Sequence, residues 1–251
     1  MTTVGGGTPG TRATAGRFFA EPVRDYVLAT LRRPPSVLQA GCLAPLRELG
    51  IGELAEDGYD DVMVSVVDVN DPTAREVLNQ TSDAYDGVIT GDLRTVPLPP
   101  RGFDIVYCGH LLERVPHVEL VLDRLVGALR PGGLLLIRVT DRESSWAFLD
   151  RTLPSAMRRA IWRRLHPGVP GPFPAVYEKG STGRGIASYA LLRGLVIAQR
   201  KEECTLGRLP APLRLASAAI TWASRGRLAG DHDALLYVIR KPEDHSARVV
   251  S

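Results

Sequence analysis

Lysine is scarce in this chain of 251 residues, and cysteine and aromatic residues are also few. Lysine occurs only at positions 179, 201 and 241, so 28 of the 31 basic residues are arginine. The formal net charge of +3 is small, and it gives no reason to expect a nucleic-acid partner. No apolar run approaches the roughly 18 residues that a membrane-spanning helix needs, so no integral membrane segment is expected.

The three cysteines, Cys42, Cys108 and Cys204, are far apart in the sequence and odd in number. They do not have the spacing of metal ligands, so we expect no metal site and a reducing, cytoplasmic compartment. Residues 1–16 are rich in glycine and threonine and lack the apolar core of a signal peptide. They are predicted to form a flexible tail ahead of one domain over residues 17–251.

Short apolar runs alternate with helical segments through the first part of the chain. The runs occupy residues 36–40, 62–68, 87–90, 103–108 and 134–140. The helical segments between them occupy residues 45–55, 72–80 and 118–129, and a further helix is predicted over 17–33. Continuous apolar strands that alternate with helices predict a doubly wound α/β fold, in which a mostly parallel sheet is covered on both faces.

The last hundred residues have a different pattern. Residues 145–190 are rich in arginine, proline and glycine, and they are too long for a simple connection. They are predicted to form an inserted helical cap after the fifth strand. Residues 195–204 and 234–242 are predicted as two further strands, separated by a helix over 212–228.

The stretch "SVLQAGCLAP", residues 36–45, begins like a cofactor-binding turn of a nucleotide-binding domain. Gly41 would let the backbone approach a ligand closely, and a following helix N-terminus would offer donors to an anion. Leu43 and Pro45 stand where a glycine-rich loop has further glycines. Two interpretations therefore remain open, a modified cofactor loop and an ordinary strand-to-helix turn.

Two carboxylates follow the second and third strands. Asp68 comes where an acidic residue accepts both ribose hydroxyls in nucleotide-binding sheets, although a helix-capping role is the alternative. Asp92, in "TGDLRTVPLP", could accept a hydrogen bond from an exocyclic amine such as that of adenine. Its alternative is a turn carboxylate after Gly91.

Gly109 and His110 follow the fourth strand. His110 is the first candidate for a general base, because its ordinary pKa suits proton transfer near neutral pH. A structural histidine at the strand end is the alternative. Asp141, just after the fifth strand, is a further candidate, with the cap of a following helix as the alternative. His166 and Tyr177 are candidates by location only.

The segments "GDLRTVPLPPRGFDIVYCGHLLERV" and "LVGALRPGGLLLIRV" resemble the class I S-adenosylmethionine-dependent methyltransferases, specifically the type 11 group that acts on small molecules. The resemblance covers about residues 36–140. It implies a Rossmann-like sheet of seven strands with an antiparallel last strand, and S-adenosylmethionine as the cofactor. The cofactor-binding residues that it implies are Gly41, Cys42, Asp68, Val69, Asp92, Leu93, Gly109 and His110.

Each part of the cofactor has its own residues in this resemblance. Gly41 and Cys42 would line the methionine part, and Asp68 would hold the ribose. The adenine would lie between Asp92 and Leu93, while Gly109 and His110 would lie near the sulfonium. Where Gln39 stands, the family usually has an acid that helps to place the cofactor's ammonium group.

These observations predict an enzyme that methylates an oxygen or nitrogen of a small-molecule or glycan-type acceptor. A non-catalytic partner subunit of the same fold is the alternative, because of Gln39, Leu43 and Pro45. A nicotinamide-dependent oxidoreductase is disfavoured, because no G-x-G-x-x-G follows the first strand. The arginine-rich segment "MRRAIWRRLHP" could contact a membrane surface or a lipid-linked acceptor, or it could be an ordinary solvated helix.

Overall fold

The computed structural model describes residues 14–41, 46–69, 72–165, 175–204 and 211–243. The chain forms two compact units. The first comprises residues 1–34 and 45–61, and the second comprises residues 35–44 and 62–251. His166 and Cys42, both named as candidates from the sequence, lie outside the described residues.

The first unit is helical. It contains α1 (Thr14–Asp25), a π-helical segment (Tyr26–Leu31), a 3-10 turn (Leu46–Leu49) and α2 (Ile51–Glu56). The helix predicted over 17–33 therefore begins earlier, at Thr14, and changes its winding after Asp25. Arg32 ends it in a left-handed conformation with φ of 53°, and its N–H donates to the Val27 carbonyl. That bond spans five residues and closes a π-type turn.

The second unit is built on a seven-stranded sheet in the order β3-β2-β1-β4-β5-β7-β6. The strands are β1 (Ser36–Ala40), β2 (Met63–Val69), β3 (Gly87–Gly91), β4 (Phe103–Gly109), β5 (Leu129–Thr140), β6 (Val196–Glu203) and β7 (Ala234–Arg240). Strands β1 to β5 pair in parallel, and β7 lies antiparallel between β5 and β6. The predicted mostly parallel sheet with an antiparallel last strand is confirmed.

Strand β5 begins earlier than its apolar run indicates. Leu129 pairs with Phe103, and the next pair joins Leu134 to Ile105. Residues 130–133 therefore form a bulge inside the strand, ahead of the apolar run over 134–140. Gly133 is required in this bulge, because a Cβ atom there would lie 2.7 Å from the Asp104 carbonyl oxygen.

Helices lie on both faces of the sheet. Neighbouring residues of a strand point to opposite faces, so one strand packs against helices on both sides. On β2, Val67 belongs to the main core and Val66 to a smaller cluster on the other face. Helix α4 (Val118–Ala128) and α7 (Gly183–Leu192) contribute to the main core, whereas α3 (Pro72–Thr81) contributes to the smaller cluster.

The segment after β5 contains α5 (Ser145–Thr152) and α6 (Ser155–Leu165), and α8 (Ala211–Ala223) precedes β7. Ser144 caps α5 by accepting the N–H of Ala147 at 3.1 Å. The Ser145 and Ser217 hydroxyls form a hydrogen bond between α5 and α8. Residues 166–174 of the predicted cap lie outside the described part of the chain, so its boundaries at about 145–190 stay a prediction.

Candidate active site

Gly41 directly follows β1 at the carboxyl edge of the sheet, with φ of +95°. Its N–H donates to the Val67 carbonyl at 2.9 Å, and its own carbonyl accepts Nε2 of the buried Gln39 at 2.8 Å. A Cβ atom at Gly41 would lie 2.7 Å from the Gly109 carbonyl oxygen. Only glycine fits this position without displacing the neighbouring strand end.

His110 follows β4 directly and adopts a left-handed conformation with φ of 54°. Its Nδ1 lies 3.2 Å from Oε1 of Glu113, three residues later in the loop. The same carboxylate oxygen accepts the hydroxyl of Thr140, the last residue of β5, at 3.1 Å. The His110 N–H also donates to the Arg138 carbonyl and extends the pairing of β4 with β5. The site therefore joins the ends of two adjacent strands.

Glu113 is buried, and its charge determines whether its carboxyl group can donate or only accept a hydrogen bond. Burial by itself raises the pKa of the Glu113 carboxyl, but the hydrogen bond from His110 lowers it, and the net pKa lies below its ordinary value. Glu113 is therefore charged at neutral pH and acts only as an acceptor. The His110 side chain is 34% exposed, so this pair combines a buried carboxylate with a partly accessible imidazole.

Asp68, the predicted ribose acceptor, lies near the end of β2 and is fully buried. Nη2 of Arg114 lies 3.4 Å from both of its carboxylate oxygens. Arg114 also donates through Nε to the His110 carbonyl. The structure therefore brings Asp68 together with a buried cation that sequence analysis did not single out.

Asp92 follows β3 and lies in a different environment. Its side chain is half-exposed and forms a bidentate ion pair with Arg94, at 2.6 Å for the closest atoms. The hydrogen bonds from Arg94 lower the pKa of the Asp92 carboxyl to about 2. The neighbouring Leu93 is buried in the main core. Val69 ends β2 and pairs with Gly91 of β3.

The other candidates for a general base are engaged elsewhere. Asp141 accepts the Glu143 N–H at 3.0 Å through Oδ1 and contacts Nε2 of His232 at 3.1 Å through Oδ2. Burial raises the pKa of the Tyr177 hydroxyl well above its ordinary value, so that group stays protonated. Tyr177 donates it to Asp150 at 3.2 Å.

The backbone of Tyr177 nevertheless contacts the loop that carries His110. The N–H groups of Val176 and Tyr177 both donate to the Glu113 carbonyl, at 2.9 and 3.0 Å. These bonds fix part of the predicted cap to the loop that carries His110.

A cavity of about 670 Å³ borders this segment. It is lined by His117, Val118, Glu119, Leu120, Asp123, Arg142, Val176, Tyr177, Glu178, Lys179, Gly180 and Arg193.

Glu113, Arg114 and Thr140 are the residues that sequence analysis missed. Glu113 and Arg114 stand three and four residues after His110 in "HLLER", a spacing that can return a side chain toward His110. Thr140 had no local signal, because its contact with Glu113 spans 27 residues. Within the described ranges, no group of three or more His, Cys, Asp or Glu side chains could hold a metal ion.

Comparison with known proteins finds similarity over part of the chain. Residues 48–137 match the family described as "Methyltransferase domain". This part of the chain is therefore similar to methyltransferases. The family match begins after "SVLQAGCLAP" and includes both Asp68 and His110.

Two curated proteins are similar to part of the chain. It is 30% identical over 127 residues to a "Ubiquinone biosynthesis O-methyltransferase" of Bradyrhizobium sp. (strain ORS 278), which covers 48% of this chain and 49% of that protein. It is 31% identical over 74 residues to an uncharacterized methyltransferase of Mycobacterium tuberculosis, which covers 30% of this chain and 38% of that protein. The chain therefore spans half or less of the length of the curated relatives it matches.

Solved structures share the fold at low sequence identity. An S-adenosylmethionine-dependent methyltransferase from Mesorhizobium loti is 16% identical with a TM-score of 0.50, over 91% of this chain and 99% of that one. The [4+2]-cyclase SpnF is 15% identical with a TM-score of 0.50, over 91% and 81% of the two chains. These likenesses establish the fold alone. Among the described residues, no helix has the length and apolarity needed to cross a bilayer.

Proposed function

We propose that this protein transfers a methyl group from S-adenosylmethionine to a hydroxyl of a small-molecule acceptor, with His110 as the general base. The observation that carries this proposal is the hydrogen bond between Nδ1 of His110 and the buried, ionised Glu113. A hydroxyl must lose its proton as it attacks, and a positioned base assists that step. An amine acceptor would need such a base less.

The pairing with Glu113 fixes which nitrogen of His110 acts. An ionised carboxylate accepts hydrogen bonds and donates none, so Nδ1 is the nitrogen that donates to Glu113, and Nε2 is the nitrogen left to accept a proton. Nε2 is then the atom that takes the proton of the acceptor hydroxyl. The negative charge of Glu113 stabilises the imidazolium that forms, as a carboxylate does for histidine in other base systems.

The residues at the carboxyl edge fit the cofactor at Gly41. Gly41 leaves a space that a Cβ atom would fill, which suits close approach of a ligand to the backbone. We assign the binding of the methionine part to Gly41 and Cys42, the ribose to Asp68 and Val69, and the adenine to Asp92 and Leu93. Gly109 and His110 would lie beside the sulfonium, whose methyl group S-adenosylmethionine supplies in activated form.

The acceptor is proposed to bind beside Tyr177 and Glu178. The cavity there has a volume of about 670 Å³, within the range usual for small-molecule sites. Val176 and Tyr177, which line this cavity, donate hydrogen bonds to the Glu113 carbonyl. The cavity therefore borders the loop that carries the proposed base. We place the reaction in the cytoplasm. The name of the Bradyrhizobium relative supports an oxygen acceptor.

A non-catalytic role within the same fold remains the second candidate. The observation that favours it is that Asp68 and Asp92 are each paired with an arginine of the chain. A protein with this role would keep the sheet and have no use for the cofactor.

Two measurements test the proposal. The first is calorimetric titration with S-adenosylhomocysteine, with NAD as the control ligand. The second is transfer of labelled methyl from S-adenosylmethionine to a phenol, a catechol, an aliphatic alcohol and a primary amine as probes. We expect binding of S-adenosylhomocysteine and not of NAD, and transfer to a hydroxyl probe.

Each outcome of these measurements assigns a function. Transfer to the amine alone would contradict the proposed base chemistry. Absence of binding of both S-adenosylhomocysteine and NAD would contradict the proposed enzyme activity and support the non-catalytic alternative. Binding of NAD alone would support the oxidoreductase instead.

A further inference from the structure

Arg114 connects the ends of three adjacent strands at the centre of the sheet. It lies in the loop after β4, and its Nη2 lies 3.4 Å from both carboxylate oxygens of Asp68 in β2. The same nitrogen lies 3.3 Å from the position that a Cβ atom of Gly41 would occupy, after β1. Because the sheet order is β2-β1-β4 here, the guanidinium lies at the point where doubly wound sheets bind their ligands.

Both charges of this pair are removed from water. The Arg114 side chain is 4% exposed and that of Asp68 is fully buried. A buried charge is costly unless an opposite charge accompanies it, so this arginine and this carboxylate hold each other in place. The contact distance of 3.4 Å is longer than the 2.7–2.9 Å of a strong charge-assisted hydrogen bond. The guanidinium of Arg114 is therefore close enough to compensate the negative charge of Asp68, but the hydrogen bonds between the two groups are long.

We propose that Arg114 is a latch on the cofactor site, which occupies Asp68 until the ribose of S-adenosylmethionine displaces it. This inference rests on the proposed function, because it takes Asp68 as the ribose acceptor. In the latched arrangement the guanidinium lies against both Gly41 and the Asp68 carboxylate. Binding then requires Arg114 to leave Asp68, which can exchange one cationic donor for two ribose hydroxyls.

The latch has a measurable consequence for affinity. When only a fraction of the molecules is competent to bind, the apparent dissociation constant rises by the inverse of that fraction. Removing the latch therefore tightens cofactor binding, even though it removes a buried ion pair. A purely structural Arg114 predicts the opposite, because its loss would disorder Asp68 and weaken binding.

The test is calorimetric titration of the full chain with S-adenosylhomocysteine, for the unaltered protein, Arg114→Gln and Arg114→Lys. Arg130→Gln is the matched control, because Arg130 pairs at 2.7 Å with the buried Asp104 near the start of β4. If about nine-tenths of the molecules are latched, Arg114→Gln binds about tenfold more tightly, while its melting temperature falls. We expect an intermediate gain for Arg114→Lys and no change in affinity for Arg130→Gln.

The outcomes separate the latch from the proposed function. Binding by the unaltered protein, with equal or weaker binding by Arg114→Gln, overturns the latch and leaves the cofactor assignment standing. Absence of binding by every variant overturns both. If circular dichroism shows that Arg114→Gln does not fold, Arg114→Lys decides, and its unchanged or weaker affinity rejects the latch.

Discussion

Nδ1 of His110 lies 3.2 Å from Oε1 of Glu113, and this contact organises the loop after β4. His110 holds a left-handed backbone conformation, which is uncommon for a residue other than glycine. The backbone of Glu113 anchors the segment that contains Tyr177. One short loop thus places a base candidate, its acidic partner and part of the cap.

Replacing His110 with asparagine tests the base directly. Asparagine tolerates the left-handed conformation, so His110→Asn removes the imidazole with little added backbone strain. We expect kcat for a hydroxyl probe to fall by about 10²–10⁴-fold, with less effect on the affinity for S-adenosylhomocysteine. Arg101→Asn is the matched control, because Arg101 is also left-handed, with φ of 51°, and does not line the proposed acceptor cavity. Equal activity of His110→Asn and the unaltered protein would rule out His110 as the base.

Glu113→Gln tests the charge of the carboxylate while keeping its shape. The amide can still accept the Thr140 hydroxyl, but it cannot stabilise an imidazolium as an ion does. We expect kcat to fall by about tenfold or more, and by less than in His110→Asn. Steady-state rates of both variants give this comparison, and the exposed Glu76→Gln on α3 is the control. A loss in Glu76→Gln as large as that in Glu113→Gln would contradict the assignment.

Gly41→Ala tests the close approach of β1 to β4. A side chain there adds conformational strain of roughly 1–3 kcal/mol and a collision with the Gly109 carbonyl that costs roughly 1–3 kcal/mol. Gly58→Ala is the matched control, because Gly58 has φ of +88° and no atom within 4 Å of its would-be Cβ. Urea unfolding should show a larger loss of the free energy of unfolding in Gly41→Ala. Equal losses would mean that the turn adjusts to the methyl group.

The raised pKa of His232 predicts that the free energy of unfolding depends on pH. Burial lowers the pKa of its imidazole, but the hydrogen bonds to Asp141 and Asp231 raise it, and the net pKa lies above the ordinary 6.5. Nδ1 also lies 3.7 Å from a carboxylate oxygen of Glu202. Because the pKa is raised in the folded state, the stabilisation is full below the ordinary pKa and is lost as the pH rises through the raised one.

The variant His232→Gln measures that contribution. Its deficit in the free energy of unfolding, relative to the unaltered protein, should be larger near about pH 6 than near about pH 9. Urea unfolding at the two pH values checks this. A deficit that is independent of pH would show that the charge of His232 contributes nothing to stability.

Much of the sheet could be predicted from the sequence because its central strands are buried on both faces. The apolar run over 36–40 coincides with β1, and the run over 103–108 differs from β4 by one residue. Such runs are continuous in apolar character, so their bounds can be read locally. The bulge at 130–133 could not be read, because it depends on pairing with Phe103 and Ile105.

The sequence by itself determined the order of strands and helices and the strand ends that carry Gly41, Asp68 and His110, because these follow from local apolar pattern and motif. Only the tertiary structure decided that Asp68 pairs with Arg114 and that Thr140 joins Glu113. The physical reason is register: strands distant in sequence lie side by side, and side chains from their ends meet only when the sheet has formed.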